Sequence, residues 1–335
     1  MSDALYVIIF VAGTAVSLLA SWRLVGALER VGGAAGLSEG ALGMLAALAA
    51  DAPEITAAVS AIAANDRHVG AGVVIGSNVF NIAALIGVAG VVGGFIALDR
   101  RVVSFAGSVA VWIALVALLA VTGALAPAVA LVVALIAFAP YLAVLAMQPE
   151  HLDTLSLPDR WRNLLAATVR AEEHEMEEGI EALRGRATRA DMLLALALVV
   201  VVVGASIAME RSATTLGARA SVAPIVVGAL ALAVVTSLPN AVAGVYLALR
   251  GRGAAVLSTA LNSNSINVIV GLLVATTILG AGSPSSETTY VAAAALALTC
   301  IALLLCHWAR GVTRTIGWLI IAAYAVYVAV LLARF

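Results

Sequence analysis

The chain has 335 residues, of which 63% are hydrophobic and 11% are charged, and its formal net charge at pH 7 is −1. This composition excludes an ordinary soluble domain, because long apolar runs recur along the chain with few interruptions. It predicts a polytopic helical membrane protein.

Ten apolar spans follow one another along the chain, and each is near or above the ~20 residues that cross a bilayer as a helix. They cover residues 4–20, 38–64, 70–96, 103–122, 126–147, 191–209, 221–249, 254–280, 288–307 and 315–333. The first span begins in MSDALYVIIF, which has an acid and no basic residue ahead of the apolar run. We therefore expect it to be a membrane span and not a cleaved signal peptide.

Arginine alone reports the orientation, because the chain has no lysine. Fourteen arginines lie in the odd-numbered loops, and four lie in the even-numbered loops and the C-terminus. The positive-inside bias therefore predicts cytoplasmic odd loops and both termini outside. We expect the protein in the plasma membrane of a prokaryote.

An internal repeat relates residues 38–90 to residues 224–276 at a constant offset of 186, without a gap. With the predicted orientation, the two copies cross the membrane in opposite directions. Such inverted repeats place equivalent residues near the midplane, where a site can be exposed to each side in turn. The expected fold is an all-α polytopic membrane protein of about ten transmembrane helices in two inverted-topology repeats. The predicted parts are a first five-helix repeat at 1–147, a cytoplasmic acidic loop at 148–190 and a second five-helix repeat at 191–335.

Two acids interrupt the second span near the bilayer centre. Asp51 and Glu54 are spaced i, i+3 and share a helix face, whereas Ser237 and Asn240 hold their places in the second repeat. A buried ionisable group costs at least ~2.5–3.5 kcal/mol at that depth, so it usually faces a cavity, a partner or an ion path. No arginine lies at a similar depth in any span, so a cation from solution is the expected partner. The alternative is a protonated or hydrogen-bonded pair that fixes helix packing.

Helix breaks and duplicated polar residues point to the same place. Pro53 and Pro239 lack an N–H, so we expect them to free the carbonyls of Ala49 and Val235. In isolation, Ser and Asn in a membrane helix more often bond neighbouring helices than ligate ions. Their duplication favours an oxygen-rich site for a hard cation such as Ca²⁺ or Na⁺. The duplicated side chains are Ser77, Asn78 and Asn81 in the third span and Ser263, Asn264 and Asn267 in the eighth.

At these residues the chain resembles the two α-repeats of the sodium/calcium exchanger family, within the cation/calcium exchanger superfamily. The specific matches are GSNVFN at 76–81 and TSLP at 236–239. The resemblance implies antiport of cations, usually Na⁺ against Ca²⁺, with ions held by a Glu in each repeat and by nearby Ser, Thr, Asn or Asp groups. The implied metal-binding set is Asp51, Glu54, Ser77, Asn78, Asn81, Thr236, Ser237, Asn240, Ser263, Asn264 and Asn267, with the carbonyls of Ala49 and Val235.

The chain departs from the family pattern at three positions. The family's first motif reads like G-T-S-[LA]-P-E, whereas here Asp51 has gained an acid. Asn240 removes the glutamate of the second motif, and Asn267 stands where some members carry Asp. If Asp51 faces inward, two carboxylates remain on one helix, which can neutralise one divalent cation or two monovalent cations.

The expected function is a secondary-active cation antiporter with alternating access, and not an enzyme. We expect no catalytic residue and no cofactor, with Ca²⁺, Na⁺ or H⁺ as transported ions. The expected partners are the lipid bilayer and inorganic cations, with no nucleic acid, and the oligomeric state stays open, a monomer included. The alternatives are a proton- or Na⁺-coupled antiporter of Mg²⁺, Mn²⁺ or K⁺, or a cation channel. An intramembrane protease is disfavoured, because both acids lie on one helix and no second acidic helix faces them.

Overall fold

The computed structural model describes residues 2–35, 39–145 and 188–335. The acidic part of the predicted central loop lies outside these residues. The elements of the first repeat are α1 (Asp3–Ala34), α2 (Glu39–Ala50), α3 (Ala52–Ala63), α4 (Arg67–Asn81), a π-helical segment (Ile82–Val88), α5 (Ala89–Gly93), β1 (Phe95–Ala97), α6 (Arg100–Val121) and α7 (Pro127–Leu145). Those of the second repeat are α8 (Arg189–Arg219), α9 (Pro224–Val226), a π-helical segment (Val227–Leu232), α10 (Ala233–Thr236), α11 (Leu238–Leu249), α12 (Gly253–Ile266), a π-helical segment (Asn267–Val274), α13 (Ala275–Leu279), α14 (Ser286–Ala309), β2 (Gly311–Thr313) and α15 (Arg314–Arg334).

The described residues contain eight helices long and apolar enough to cross a membrane. A ninth span is broken, because Pro224–Thr236 and Leu238–Leu249 meet at an angle of 47°. In the first repeat, α2 and α3 occupy the place of this bent pair at the offset of 186, and with them the ten predicted spans are accounted for. The prediction of an all-α polytopic protein with two repeats is confirmed. Because each repeat holds five spans, an odd number, the second repeat crosses the membrane in the opposite sense to the first.

The first and sixth spans are longer than predicted. Helix α1 has 32 residues and α8 has 31, which corresponds to about 47 Å each at the rise of an α-helix. The prediction ended the first span at residue 20, but Leu24 and Ala27 are buried further along the same helix. The two helices pack antiparallel, with contacts at both ends and in the middle. These contacts are Arg219 with Asp3, Ser17 with Ser206 at 2.7 Å, and Arg30 with Asp191 at 2.9 Å.

The helix breaks lie two residues before the prolines that predicted them. Asp51 separates α2 from α3, and Ser237 separates α10 from α11, so each proline falls in a first helical turn, where its missing N–H is not needed. The carbonyl of Ala49 is not free as predicted, because the Ser21 hydroxyl donates a 2.7 Å hydrogen bond to it. The backbone N–H of Ser237 bonds the carbonyl of Ala233 at 3.1 Å, and the carbonyl of Val235 is only its second acceptor.

The centre of the molecule is built by α4 and its repeat equivalent α12, which are buried along most of their length. Glycine permits the close contact of α4 with the π-helical segment Val227–Leu232, because a Cβ added at Gly76 would lie 2.4 Å from the Cα of Ala229. Both helices widen into π-helical turns at the equivalent asparagines: one begins directly after Asn81 and the other at Asn267. Such turns often mark functional sites in helices.

A pseudo-two-fold axis relates the repeats and passes between α4 and α12. The Asn78 side chain donates to the backbone carbonyl of Asn264 at 3.1 Å, and the Asn264 side chain donates to the carbonyl of Asn78 at 3.1 Å. Because this pair of contacts is reciprocal at the repeat offset, it lies on the symmetry axis. The repeats are also joined by β1 and β2, which pair antiparallel, a contact that the sequence did not predict.

Candidate functional site

Asp51 and Glu54 lie at the break between α2 and α3, and both are 0% exposed. Their side chains meet the second repeat. Asp51 Oδ1 accepts a 2.8 Å hydrogen bond from Asn240 Nδ2 and a 2.7 Å bond from the Ser263 hydroxyl. This carboxylate is therefore held by two neutral donors from α11 and α12.

Glu54 is held in the same way, but through both of its oxygens. Its Oε1 accepts from the Ser237 hydroxyl, and its Oε2 accepts from the Asn267 amide. All four donors to the two carboxylates thus come from the second repeat, while both acids come from the first. The contacts of Asp51 with Asn240 and of Ser237 with Glu54 are equivalent at the offset of 186.

Neither carboxylate has a basic partner. Arg30 pairs with Asp191 and Arg219 with Asp3, and both ion pairs lie near the ends of α1 and α8, away from the acids. An unpaired carboxylate in the membrane interior is costly, so protons or cations must balance the two acids when both are ionised. The sequence prediction that no arginine neutralises these acids agrees with this arrangement.

The remaining predicted residues surround the acids in two groups. Ser263 is the centre of the first, because it receives hydrogen bonds from Asn81 Nδ2 at 3.2 Å and from Asn240 Nδ2 at 3.1 Å. Asn81 also donates to Asn264 Oδ1 at 3.1 Å. The second group points away: the hydroxyls of Ser77 and Thr236 each donate at 2.9 Å to a carbonyl of their own helix. The structure therefore brings Ser237, Asn240, Ser263 and Asn267 against the acids. Asn81 reaches Asp51 only through Ser263, and Ser77 and Thr236 lie apart.

Four buried oxygens in this cluster have no hydrogen-bond partner. They are Asp51 Oδ2, Asn78 Oδ1, Asn81 Oδ1 and Asn267 Oδ1. A buried acceptor without a partner costs roughly 1–3 kcal/mol, so such atoms imply a missing donor, a water or a cation. One carboxylate oxygen and three amide oxygens are the ligands that Na⁺ and Ca²⁺ prefer. Since no group of three or more His, Cys, Asp and Glu is placed to hold a metal among the described residues, a cation here would depend on amide and hydroxyl oxygens.

The site is closed to solvent. A cavity, a partner or an ion path was expected beside the acids, and in this conformation both carboxylates are fully enclosed by partners. The enclosing donors are Asn240, Ser263, Ser237 and Asn267. Because the same contacts satisfy the acids and shut them off, access requires the two repeats to move relative to each other.

A third buried acid was missed by the sequence analysis. Glu210 on α8 is 1% exposed and lies one residue beyond the predicted end of the sixth span. A signal was present, because Ser206, Glu210 and Thr214 recur at helical spacing and place three polar groups on one face. Only Ser206 fell within the predicted span.

Comparisons with known proteins agree on the architecture. The sequence profile of the family described as "Sodium/calcium exchanger protein" matches residues 5–148 and 192–333. No curated protein matches the chain at a significant level.

Two solved structures illustrate the likeness in fold. A crystal structure of the H⁺/Ca²⁺ exchanger CAX aligns with a TM-score of 0.69 and 13% identity, over 98% of this chain and 87% of the other. A structure of the sodium-calcium exchanger NCX_Mj aligns with a TM-score of 0.62 and 19% identity, over 98% and 99%. At these identities the likeness establishes the fold.

Proposed function

Because the chain belongs to the sodium/calcium exchanger family of membrane transporters, we propose that it is a secondary-active antiporter that exchanges Ca²⁺ for Na⁺ or H⁺. The transported ions bind in turn at Asp51 and Glu54, with Asn81, Asn240, Ser263 and Asn267 as neutral partners. Ser237 is a further neutral partner, since it donates to Glu54. Asn78 and Asn264 hold α4 against α12, whereas Ser77 and Thr236 lie apart from the acids. The two repeats form the moving parts.

One observation carries this proposal: two fully buried carboxylates, without a basic partner, lie beside unpartnered amide oxygens at the interface of two inverted repeats. Inverted repeats permit a site at their interface to face each side of the membrane in turn. The closed state of the site supports alternation, because a carboxylate pair sealed from both sides is an intermediate that an antiporter must pass through.

The charge of the site limits what it carries. Asp51 and Glu54 supply two negative charges, which match one Ca²⁺, two Na⁺ or two H⁺. Hydroxyl and amide donors from the second repeat can stabilise the carboxylates when no metal is bound. Ion binding then replaces these hydrogen bonds by bonds from oxygen to the cation, which links occupancy to repeat movement.

Flux in proteoliposomes tests the proposal. Vesicles containing the protein are loaded with Ca²⁺, and its release is followed while Na⁺ and H⁺ gradients are imposed separately. We expect release only when a counter-ion gradient is present, and the double variant Asp51→Asn with Glu54→Gln should abolish it. Release without any counter-ion would indicate a channel and contradict the proposal.

The same vesicles distinguish the other antiport reactions. Loading with Mg²⁺, Mn²⁺ or K⁺ in place of Ca²⁺ determines the substrate ion. If one of these ions shows flux driven by a counter-ion and Ca²⁺ shows none, the protein is an antiporter of that ion and not of Ca²⁺.

We also propose that both termini lie outside and the central loop in the cytoplasm of a prokaryotic cell. Labelling of single cysteines placed at residues 2 and 66 tests this orientation, since both sites should react from outside.

A further inference from the structure

A buried carboxylate on α8 lies apart from the exchange site. The two oxygens of Glu210 accept hydrogen bonds from the hydroxyls of Ser60 at 2.9 Å and Thr214 at 3.0 Å. Ser60 belongs to α3 of the first repeat, so the cluster bridges the repeats as the exchange site does. The charged side chains that face Glu210 are Asp66 and Arg211.

A cavity runs along α3 beside this cluster, and its lining includes neither Glu210 nor the enclosed Glu54. It has a volume of about 490 Å³ and lies between α3 and α8. Along α3 it extends from Ile55, the neighbour of Glu54, to Ala64 at the helix end, a distance of about 14 Å at the helical rise. Ser60 lines this cavity, and its hydroxyl donates to Glu210.

The repeat symmetry shows that packing does not require an acid here. At the offset of 186, the first repeat carries Leu24, which is 1% exposed, as Glu210 is. The fold thus accepts a buried leucine at the equivalent place. A glutamate within a membrane span instead costs free energy, and such residues usually serve an ion path.

The chemistry of the cluster selects a monovalent ion. One carboxylate and two hydroxyls offer hard oxygen ligands with a single negative charge, which balances one Na⁺ or one H⁺. We propose that Glu210, Ser60 and Thr214 form a second cation site, which takes up the monovalent coupling ion and passes it along α3 towards Glu54. This inference rests on the proposed antiport, and it adds a site that the exchange mechanism itself does not need. The site lies near the α3–α4 connection, so it serves one face of the membrane.

Sidedness of the counter-ion requirement tests the transport role. In vesicles with a single protein orientation, the counter-ion concentration for half-maximal Ca²⁺ flux is measured from each face, by Na⁺ titration at fixed pH and by pH titration without Na⁺. We expect Glu210→Gln to raise this concentration about 10-fold, the effect of losing roughly 1.4 kcal/mol of binding, from the face nearest the α3–α4 connection only. A shift in the Na⁺ titration identifies the ion as Na⁺, and a shift in the pH titration identifies it as H⁺. Arg211→Gln, which removes a positive charge at the cavity wall, should lower the half-maximal concentration instead.

Equal shifts from both faces, or no shift in either arm, would overturn the inference. Ser60→Ala provides a second variant if Glu210→Gln fails to fold, and it should raise the same half-maximal concentration from the same face. A binding measurement separates this inference from the proposed function. Purified Glu210→Leu protein, which takes the side chain of the first repeat, should bind one Na⁺ or one H⁺ fewer than the unmodified protein. If the variant binds fewer ions but the unmodified protein exchanges none, antiport is rejected and the Glu210 site is kept. If the number of bound ions is unchanged, the Glu210 site is rejected.

Discussion

Asn240 donates a 2.8 Å hydrogen bond to Asp51 across the interface between the repeats. Asn240 stands at the repeat position of Glu54, and Asp51 stands at the position of Ser237. Compared with the family motif that the chain resembles, the second carboxylate of the site lies on the opposite side of this hydrogen bond. The site keeps two acids although the second repeat supplies none.

This relationship predicts that a carboxylate at position 240 can replace the carboxylate at position 51. Asp51→Ser alone should reduce Ca²⁺ flux at least 10-fold, because it removes one of the two charges that balance the ion. The double variant Asp51→Ser with Asn240→Glu restores two carboxylates and gives both repeats the same residues at these positions. We expect it to recover most of the flux, measured in proteoliposomes under the same counter-ion gradient.

Asn240→Glu alone is the matched control for the exchange of positions. It places three acids in one closed site, where like charges repel, so it should not raise the flux above that of the unmodified protein. A double variant no more active than Asp51→Ser would contradict the idea that the two positions share one role.

Glu54→Gln should abolish exchange while the protein remains folded. The substitution removes half of the negative charge of the site with little change of shape, and the Asn267 amide can rotate to present its oxygen to the new side chain. Size-exclusion chromatography checks the fold, and ion flux checks function. Glu287→Gln, the same chemical change at the start of α14, is the control and should transport normally. Exchange by Glu54→Gln at the unmodified rate would contradict the site assignment.

Much of this site follows from the sequence because membrane burial makes polar residues informative. The offset of 186, the breaks near Pro53 and Pro239, and the depth of Asp51 and Glu54 together indicate an interface site, and the structure places Asn240 and Asn267 against these acids. The repeat pattern also gives the fold, since five spans per copy fix the relative orientation of the copies.

The sequence could not show how unequal charge breaks the symmetry of the contacts. Ser263 donates to Asp51. Its equivalent in the first repeat is Ser77, and the equivalent of Asp51 in the second repeat is Ser237, which offers no carboxylate. Ser77 therefore donates to a carbonyl of its own helix. Glu210 was missed because its span was ended where charged residues begin. The pairing of β1 with β2 joins two short connections far apart in sequence, which no local pattern reports.

The close contact of α4 with the second repeat predicts a large cost for a small substitution. Gly76→Ala should lower the free energy of unfolding by about 1–3 kcal/mol, because its Cβ would overlap the backbone of Ala229 and force the helices apart. Gly204→Ala is the control, since a Cβ there meets nothing within 4 Å. It should be neutral or stabilising by up to ~1 kcal/mol, the helix propensity difference between Gly and Ala. Thermal unfolding in detergent measures both, and equal midpoints would contradict the packing argument.

The charge count of the site predicts how exchange responds to voltage. Asp51 and Glu54 provide two negative charges, and the four donors around them are neutral, so one Ca²⁺ is balanced by two monovalent ions and not by three. A cycle that moves two charges each way carries no net charge across the membrane. Ca²⁺ flux in vesicles with valinomycin-clamped potentials should therefore change less than twofold over 100 mV, where moving one net charge is worth about 2.3 kcal/mol. Asn240→Glu, which adds a third carboxylate, should make the flux voltage-dependent. A steep voltage dependence in the unmodified protein, with Na⁺ as the only effective counter-ion, would show that a third ion is bound by groups other than these two acids.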